Sequence, residues 1–184
     1  MAQMEIEKNK TLRKTLRRLL ALEDRIKGVA FPAMKRVKQI DVYSCGPAVI
    51  SALFSFLGKR VSQKGVIVSL RAKNKIKSLG LNVKDLAKAS NAIGRKKFVF
   101  WKKTEGKISD LDTVINTHKF PVGVEWQGVF YEDEDEDNGH YGIITALDKK
   151  AGYLRMADSF SKFAGVDRRF RIKDFEKRWW DQRD

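Results

Sequence analysis

The sequence predicts an α+β domain in which helices come first and an antiparallel sheet follows. The first half of the chain contains apolar residues at helical spacing, whereas the second half contains short β-like segments separated by turns. At 184 residues with 42% hydrophobic residues, the chain is long and apolar enough to bury a core. Helices followed by a run of strands favour an antiparallel sheet over alternating βαβ units.

Residues 8–27 predict a first helix with a leucine stripe and a basic face, ended by Gly28 and Pro32. We therefore divide the chain into an accessory basic amphipathic helix at 1–30 and a main domain at 31–184. The simplest interpretation is that this helix docks its leucines on the domain. A basic arm for membrane or nucleic acid, and an inhibitory or partner-binding segment, are the alternatives.

The next helix is predicted from about Gly46 to Leu57. Pro47 suits a first helical turn, and Gly58 suits a C-terminal cap. The helix is apolar on nearly all sides, so we expect it in the centre of the core.

The remaining elements follow from caps, periodicity and β-propensity. Residues 60–77 are helical or irregular, with Ser62 as a candidate cap. The other predicted elements are a helix at 82–93 capped by Asn82, a strand at 97–102, a helix at 109–117 capped by Ser109, strands at 121–126, 140–148, 152–158 and 168–172, and a closing helix at 173–180.

Composition limits the classes of protein. A single cysteine cannot form an internal disulfide, and no Cys/His cluster suggests a structural zinc site. No apolar run approaches the roughly 20 residues that span a bilayer, and the first thirty residues lack a signal-peptide core, so we expect a cytoplasmic protein. The net charge of +15 favours an anionic partner, such as nucleic acid, an anionic membrane or an acidic protein.

Cys45 is the candidate nucleophile, because a thiol at a helix start lies among unpaired N–H groups that favour thiolate. Taken alone, one cysteine is more often a buried structural residue. Of the two histidines, His118 belongs to an exposed turn, whereas His140 opens a strand. A hairpin from 140 to 158 would bring His140 beside Asp158, which could fix the imidazole tautomer.

These residues resemble a known family. The pattern Gln-x5-Cys-Gly-Pro-Ala beginning at Gln39, Gly-His-Tyr around His140, and Met-Ala-Asp-Ser around Asp158 are similar to papain-like cysteine peptidases. The resemblance covers about residues 34–180 and is strongest to the bacteriocin-processing, double-glycine leader peptidase type and its stand-alone relatives. It departs at Ser159, where that family often has Pro, and in a longer acidic loop before His140.

The resemblance implies a papain-like fold, with a central nucleophile helix packed on a C-terminal antiparallel sheet. It also implies Cys45 as nucleophile, His140 as base, Asp158 as orienter, and Gln39 with the Cys45 N–H as oxyanion donors. No metal or organic cofactor is implied.

The predicted function is a cysteine peptidase or related thiol hydrolase that cleaves peptide or amide bonds through an acyl-enzyme. Deamidation and acyl transfer use the same intermediate and stay open. The alternative is a catalytically silent, peptidase-like basic module that binds nucleic acid, anionic membrane or a protein partner.

The run Glu132 to Asp137 places six carboxylates just before His140. Its simplest interpretation is a solvated loop tip. Alternatively, the loop recruits basic residues of a peptide or protein substrate, or contacts the chain's own basic helix at 8–27. A cation site is the weaker interpretation, since the run lacks the alternation and turn glycine of a calcium loop.

Overall fold

The computed structural model describes residues 31–70, 80–95, 97–128 and 139–179. Its sheet has four strands, β1 (Val122–Gln127), β2 (Gly139–Asp148), β3 (Tyr153–Asp158) and β4 (Asp167–Arg171). Every neighbouring pair is antiparallel, in the order β1-β2-β3-β4. The α+β class with an antiparallel C-terminal sheet is therefore confirmed. The predicted helix at 8–27, the acidic run 132–137, and parts of the segments 60–77 and 173–180 lie outside the described residues.

Five α-helices accompany the sheet in the described ranges. They are α1 (Cys45–Phe56), α2 (Gln63–Ser69), α3 (Val83–Gly94), α4 (Ile108–Asp112), which continues into a π-helical turn (Thr113–Thr117), and α5 (Ile172–Glu176). The predicted caps of α2 and α3 form: Ser62 Oγ accepts from Gly65 N at 3.0 Å, and Asn82 Oδ1 accepts from Asp85 N at 2.8 Å.

Helix α1 forms the centre of the core, as its composition predicts. Its buried residues run from Gly46 to Ala52 and include Phe54. The helix ends where Gly58, with φ of +73°, turns left-handed and Lys59 N donates to Phe54 O. Helix α1 packs against β1 and β2, and this packing brings the start of the helix, Cys45, towards the sheet.

Two local predictions were wrong. Residues 97–102 are not a strand, because the side chain of Asn91 takes both backbone bonds of Phe100, with N donating to Oδ1 at 2.8 Å and O accepting from Nδ2 at 3.2 Å. The aromatic residues that suggested a strand contribute to the core instead, since Phe98 and Phe100 pack on Phe54. Ser109 is also not a cap: α4 starts one residue earlier, and Asp110 Oδ2 accepts from the N–H of Lys107.

A β-bulge in β2 determines which face of the sheet Asp158 occupies. Ala146 pairs with Arg155, but Ile144 pairs with Met156, so Thr145 is an extra residue and the register shifts by one. Beyond the bulge Gly142 pairs with Asp158. Because alternate residues share a face, Asp158 lies on the same face as His140. Without the bulge Asp158 would oppose Ile143 and lie on the other face.

A polar cluster holds the bulge. Thr145 Oγ1 donates to Asp167 Oδ2 at 2.7 Å, and Arg36 donates to both oxygens of Asp167 at 2.8 Å. Arg36 also donates to the carbonyls of Phe31 and Met34. The cluster therefore ties the start of the domain to both β2 and β4.

Within the described ranges, no helix is long and apolar enough to cross a bilayer.

Replacing Gly142 with Ala should destabilise the domain. A Cβ at this position would lie 2.8 Å from Cγ of the fully buried Met156, against its sulfur, and 3.5 Å from Trp126 Nε1. We expect a loss of about 2 kcal/mol in the free energy of unfolding, measured by urea denaturation. Gly139→Ala in the same strand is the matched control, because nothing lies within 4 Å of its Cβ. Equal unfolding free energies for the two variants would contradict this packing.

Candidate active site

Cys45 is the first residue of α1 and is half-buried. No side chain caps this end of the helix, and the N–H groups of Cys45 and Gly46 precede the first intrahelical bond, which Ala48 N donates to Ser44 O. These groups and the helix dipole place positive potential at Cys45. The local sequence therefore places the thiol where the sequence analysis expected it.

His140 lies near the start of β2, opposite Trp126 of β1, and only 3% of its surface is exposed. Its Nε2 lies 2.9 Å from Asp158 Oδ1, and the imidazole also forms a hydrogen bond with Cys45. An ionised carboxylate only accepts, so Nε2 carries a proton. The structure thus joins thiol, imidazole and carboxylate in one hydrogen-bonded chain.

Opposing effects determine the pKa of His140. Burial alone would lower it, but the hydrogen bonds and charges of Asp158 and Cys45 outweigh burial and raise the pKa from 6.5 to about 9. At neutral pH the imidazole is therefore protonated. Because the folded protein binds this proton more tightly than the unfolded chain, the pair stabilises the fold fully below pH 6.5, and the contribution is lost as pH rises through about 9.

Asp158 ends β3 and is 2% exposed. Burial would raise the pKa of its carboxyl, but the bonds from His140, the N–H of Phe160 and Arg168 together lower it. Phe160 N donates to Oδ1 and Arg168 Nη1 to Oδ2, each at 2.9 Å. The carboxylate consequently stays ionised beside the imidazole.

Arg168 is a site residue that the sequence analysis missed. It lies on β4, where it pairs with Met156 across the ladder. Its guanidinium carbon lies 3.7 Å from the ring centroid of Phe163 and 4.8 Å from that of Phe170. These aromatic contacts fix the guanidinium while it holds Asp158. The sequence contained only indirect evidence for this role of Arg168. A carboxylate buried between strands requires a cation, and β4 is rich in arginine.

Gln39 is half-buried in the loop that leads to Cys45. Its N–H donates to Ser159 O at 2.9 Å, and its Oε1 accepts from Ser159 Oγ at 3.0 Å. One hydrogen of its Nε2 goes to Asp41 O at 2.8 Å. The amide group has two such hydrogens, so these bonds leave one for a ligand. The Ser159 hydroxyl, absent from a proline at this position, therefore orients the amide of Gln39.

His118 is the other histidine, and it lies exposed at the end of the π-helical turn. Its position agrees with the expected exposed turn residue. No group of three or more His, Cys, Asp or Glu side chains within the described ranges could hold a metal ion.

The architecture places the chain in the class of papain-like folds, in which a helix beginning at a cysteine packs on an antiparallel sheet that carries a histidine. The chain belongs to the Peptidase_C39 like family, whose model matches residues 31–184. This membership supports a cysteine peptidase and implies a peptide or protein substrate.

One solved structure agrees with this classification. The fold is similar to the peptidase domain of Streptococcus ComA, a bi-functional ABC transporter involved in a quorum sensing pathway, with a TM-score of 0.57 and 17% sequence identity. The match covers 79% of this chain and 92% of that domain. No curated protein matches the sequence. The resemblance and the papain-like fold predicted from the sequence are confirmed.

Arg168 should tune the pKa of His140 through Asp158. In Arg168→Met the carboxylate loses a neutralising cation and attracts the imidazolium more strongly. The alkaline limb of kcat/KM, expected near pH 9 from the pKa of His140, should move up by roughly half to one pH unit. Arg168→Lys keeps the charge and should keep the limb. If Arg168 had a purely structural role, the Tm of both variants would fall and the alkaline limb of each variant would stay where it is in the wild type.

Proposed function

We propose that this chain is a cysteine peptidase whose reaction centre consists of Cys45, His140 and Asp158, with Gln39 as a side-chain oxyanion donor. We further propose that residues 31–184 are the catalytic domain and that residues 1–30 are an accessory segment. The observation that carries the proposal is the hydrogen-bonded chain from Cys45 through His140 to the buried carboxylate of Asp158.

The first step requires a thiolate. The raised pKa of His140 supports an imidazolium facing a thiolate at neutral pH. The sulfur attacks the carbonyl carbon of the peptide bond, and the carbonyl oxygen becomes an oxyanion. The N–H of Cys45 and the second Nε2 hydrogen of Gln39 would stabilise that charge, because both are fixed before the substrate arrives.

The second step breaks the C–N bond. His140 gives its proton to the departing amine, which leaves neutral imidazole and a thioester on Cys45. A water molecule then loses a proton to His140 as it attacks the thioester, and the acid product leaves the thiolate behind. Asp158 keeps the same hydrogen bond to the imidazole throughout and stabilises each imidazolium form.

The reactivity of Cys45 tests the nucleophile and its base. Cys45 is the only cysteine, so iodoacetamide labelling reports on it alone. We expect labelling at pH 7 to be at least about tenfold faster than for a free thiol, since a free thiol is only a few per cent ionised there. His140→Ala should remove this advantage, whereas His118→Ala, which changes the exposed histidine, should keep it.

Cleavage of a peptide library provides the second readout. The wild-type chain should release defined products that are absent with Cys45→Ala. If Cys45 reacts no faster than a free thiol, and His140→Ala makes no difference to labelling, the proposed nucleophile and base are wrong.

Variants of Gln39 and Ser159 test whether the Gln39 amide is an oxyanion donor that Ser159 orients. Gln39→Ala should lower kcat by about 10²- to 10³-fold with a smaller change in KM, because the lost donor acts on the transition state. Ser159→Ala should lower kcat less, since it frees the Gln39 amide without removing it. The double variant should then be no slower than Gln39→Ala alone. Additive losses in kcat would mean that Ser159 does not act through Gln39.

A further inference from the structure

The loop before Cys45 exposes a group of apolar side chains. We call Ile40, Val42 and Tyr43 the apolar rim; their exposed fractions are 51%, 72% and 42%. Most other large apolar residues of the described domain are wholly or partly buried, and the exposed ones are Val68, Val99, Trp101, Phe120 and Val166. Three such residues lie within four positions in the loop that leads to the candidate nucleophile, and exposed apolar side chains grouped in this way favour contact with a ligand.

This exposure belongs to a fixed loop. Ile40 N donates to Oε1 of the buried Gln63 at 3.1 Å, and Gln63 Nε2 donates to Lys38 O at 2.7 Å. At the other end, Asp41 Oδ1 accepts from Tyr43 N at 3.0 Å and from Ser44 Oγ at 2.6 Å. The backbone is therefore held from both sides while the apolar side chains stay in water. A loop ordered in this way presents its side chains without a further ordering cost on binding.

Chain connectivity limits the distance between the rim and the thiol. Val42 precedes Cys45 by three residues, so their Cα atoms are at most about 11 Å apart. A bound extended peptide rises about 3.4 Å per residue. The rim can therefore contact substrate residues within about three positions of the bond at Cys45. Gln39, at the start of the same loop, is hydrogen-bonded to Ser159, the residue after Asp158.

We infer that the apolar rim is a substrate subsite that binds an aliphatic or aromatic side chain within three residues of the scissile bond. The inference rests on the proposed peptidase function and names its substrate class. Continuity with the reaction centre favours a substrate peptide over a separate protein partner as the occupant. The binding energy comes from removing two apolar surfaces from water.

The experiment uses the full-length chain and fluorogenic peptides built on its best library cleavage sequence. Leu or Ser is placed in turn at each of the three positions on either side of the scissile bond. The wild-type chain should prefer Leu by roughly tenfold in kcat/KM at one of these positions. Val42→Ser should reduce that preference at least about threefold, mainly through KM. Tyr43→Ser provides a second rim variant.

Val166→Ser is the matched control, because Val166 is 59% exposed and lies on the turn before β4. It should keep the full Leu preference. Iodoacetamide labelling of Cys45 should be the same in all these variants, because a reagent this small does not need the rim. Slower labelling in Val42→Ser would mean that the loop acts on the thiol itself, and the subsite would be wrong.

Three further outcomes would contradict the proposed subsite. If wild type labels at Cys45 and cleaves peptides, but both rim variants keep the Leu preference, the subsite fails while the peptidase function survives. If the wild-type chain is a dimer and Val42→Ser is a monomer, measured by light scattering, the rim joins two copies and the subsite is wrong. Absence of both labelling and cleavage in wild type overturns the peptidase function together with the subsite.

Discussion

Asp158 carries a negative charge in a position almost closed to solvent, and the site depends on how that charge is balanced. An unpaired buried carboxylate would take up a proton and stop holding an imidazolium. Two cationic partners prevent this, His140 on one oxygen and Arg168 on the other, with the N–H of Phe160 adding a third bond. Because Arg168 shares the carboxylate, the attraction felt by His140 is smaller than that of an isolated Asp158. The pKa of His140 therefore depends on residues of two strands, Asp158 of β3 and Arg168 of β4.

The geometry that makes this balance available comes from the bulge at Thr145. The bulge places Asp158 on the His140 face, and the hydroxyl of Thr145 is held by Asp167. Asp167 and Arg168 are consecutive residues of β4, so their side chains point to opposite faces of the sheet. One strand consequently supports the bulge with one residue and the carboxylate with the next. Arg36 joins the same support through its two bonds to Asp167.

The main features of the fold followed from the sequence because they depend on local signals. The apolar helix α1 and the strands β1 to β4 appear within one or two residues of their predicted ends. The predicted strand at 97–102 was wrong because β-propensity does not ensure strand pairing, and Asn91 satisfies the backbone of Phe100 without a partner strand.

The sequence likewise identified some residues of the candidate site and missed others. The structure brings together Cys45, His140 and Asp158, which residue type and element order had selected, while their catalytic roles stay predictions. Arg168 and the orienting bonds from Ser159 to Gln39 were not predicted. Arg168 reaches Asp158 through the pairing of β3 with β4, and Ser159 reaches a residue far earlier in the chain, so neither contact follows from a local sequence pattern.

Asp158, which ends β3, and Ser159, which follows it, connect both halves of the proposed reaction. Asp158 holds the group that moves protons, and Ser159 holds the amide that would face the oxyanion. A displacement of this strand end would therefore disturb proton transfer and charge stabilisation together. The loop from Gln39 to Ser44 is held by Gln63 and by the side chain of Asp41, and the carbonyl of Asp41 accepts from Gln39 Nε2. The strand end and this loop therefore position the amide of Gln39 together.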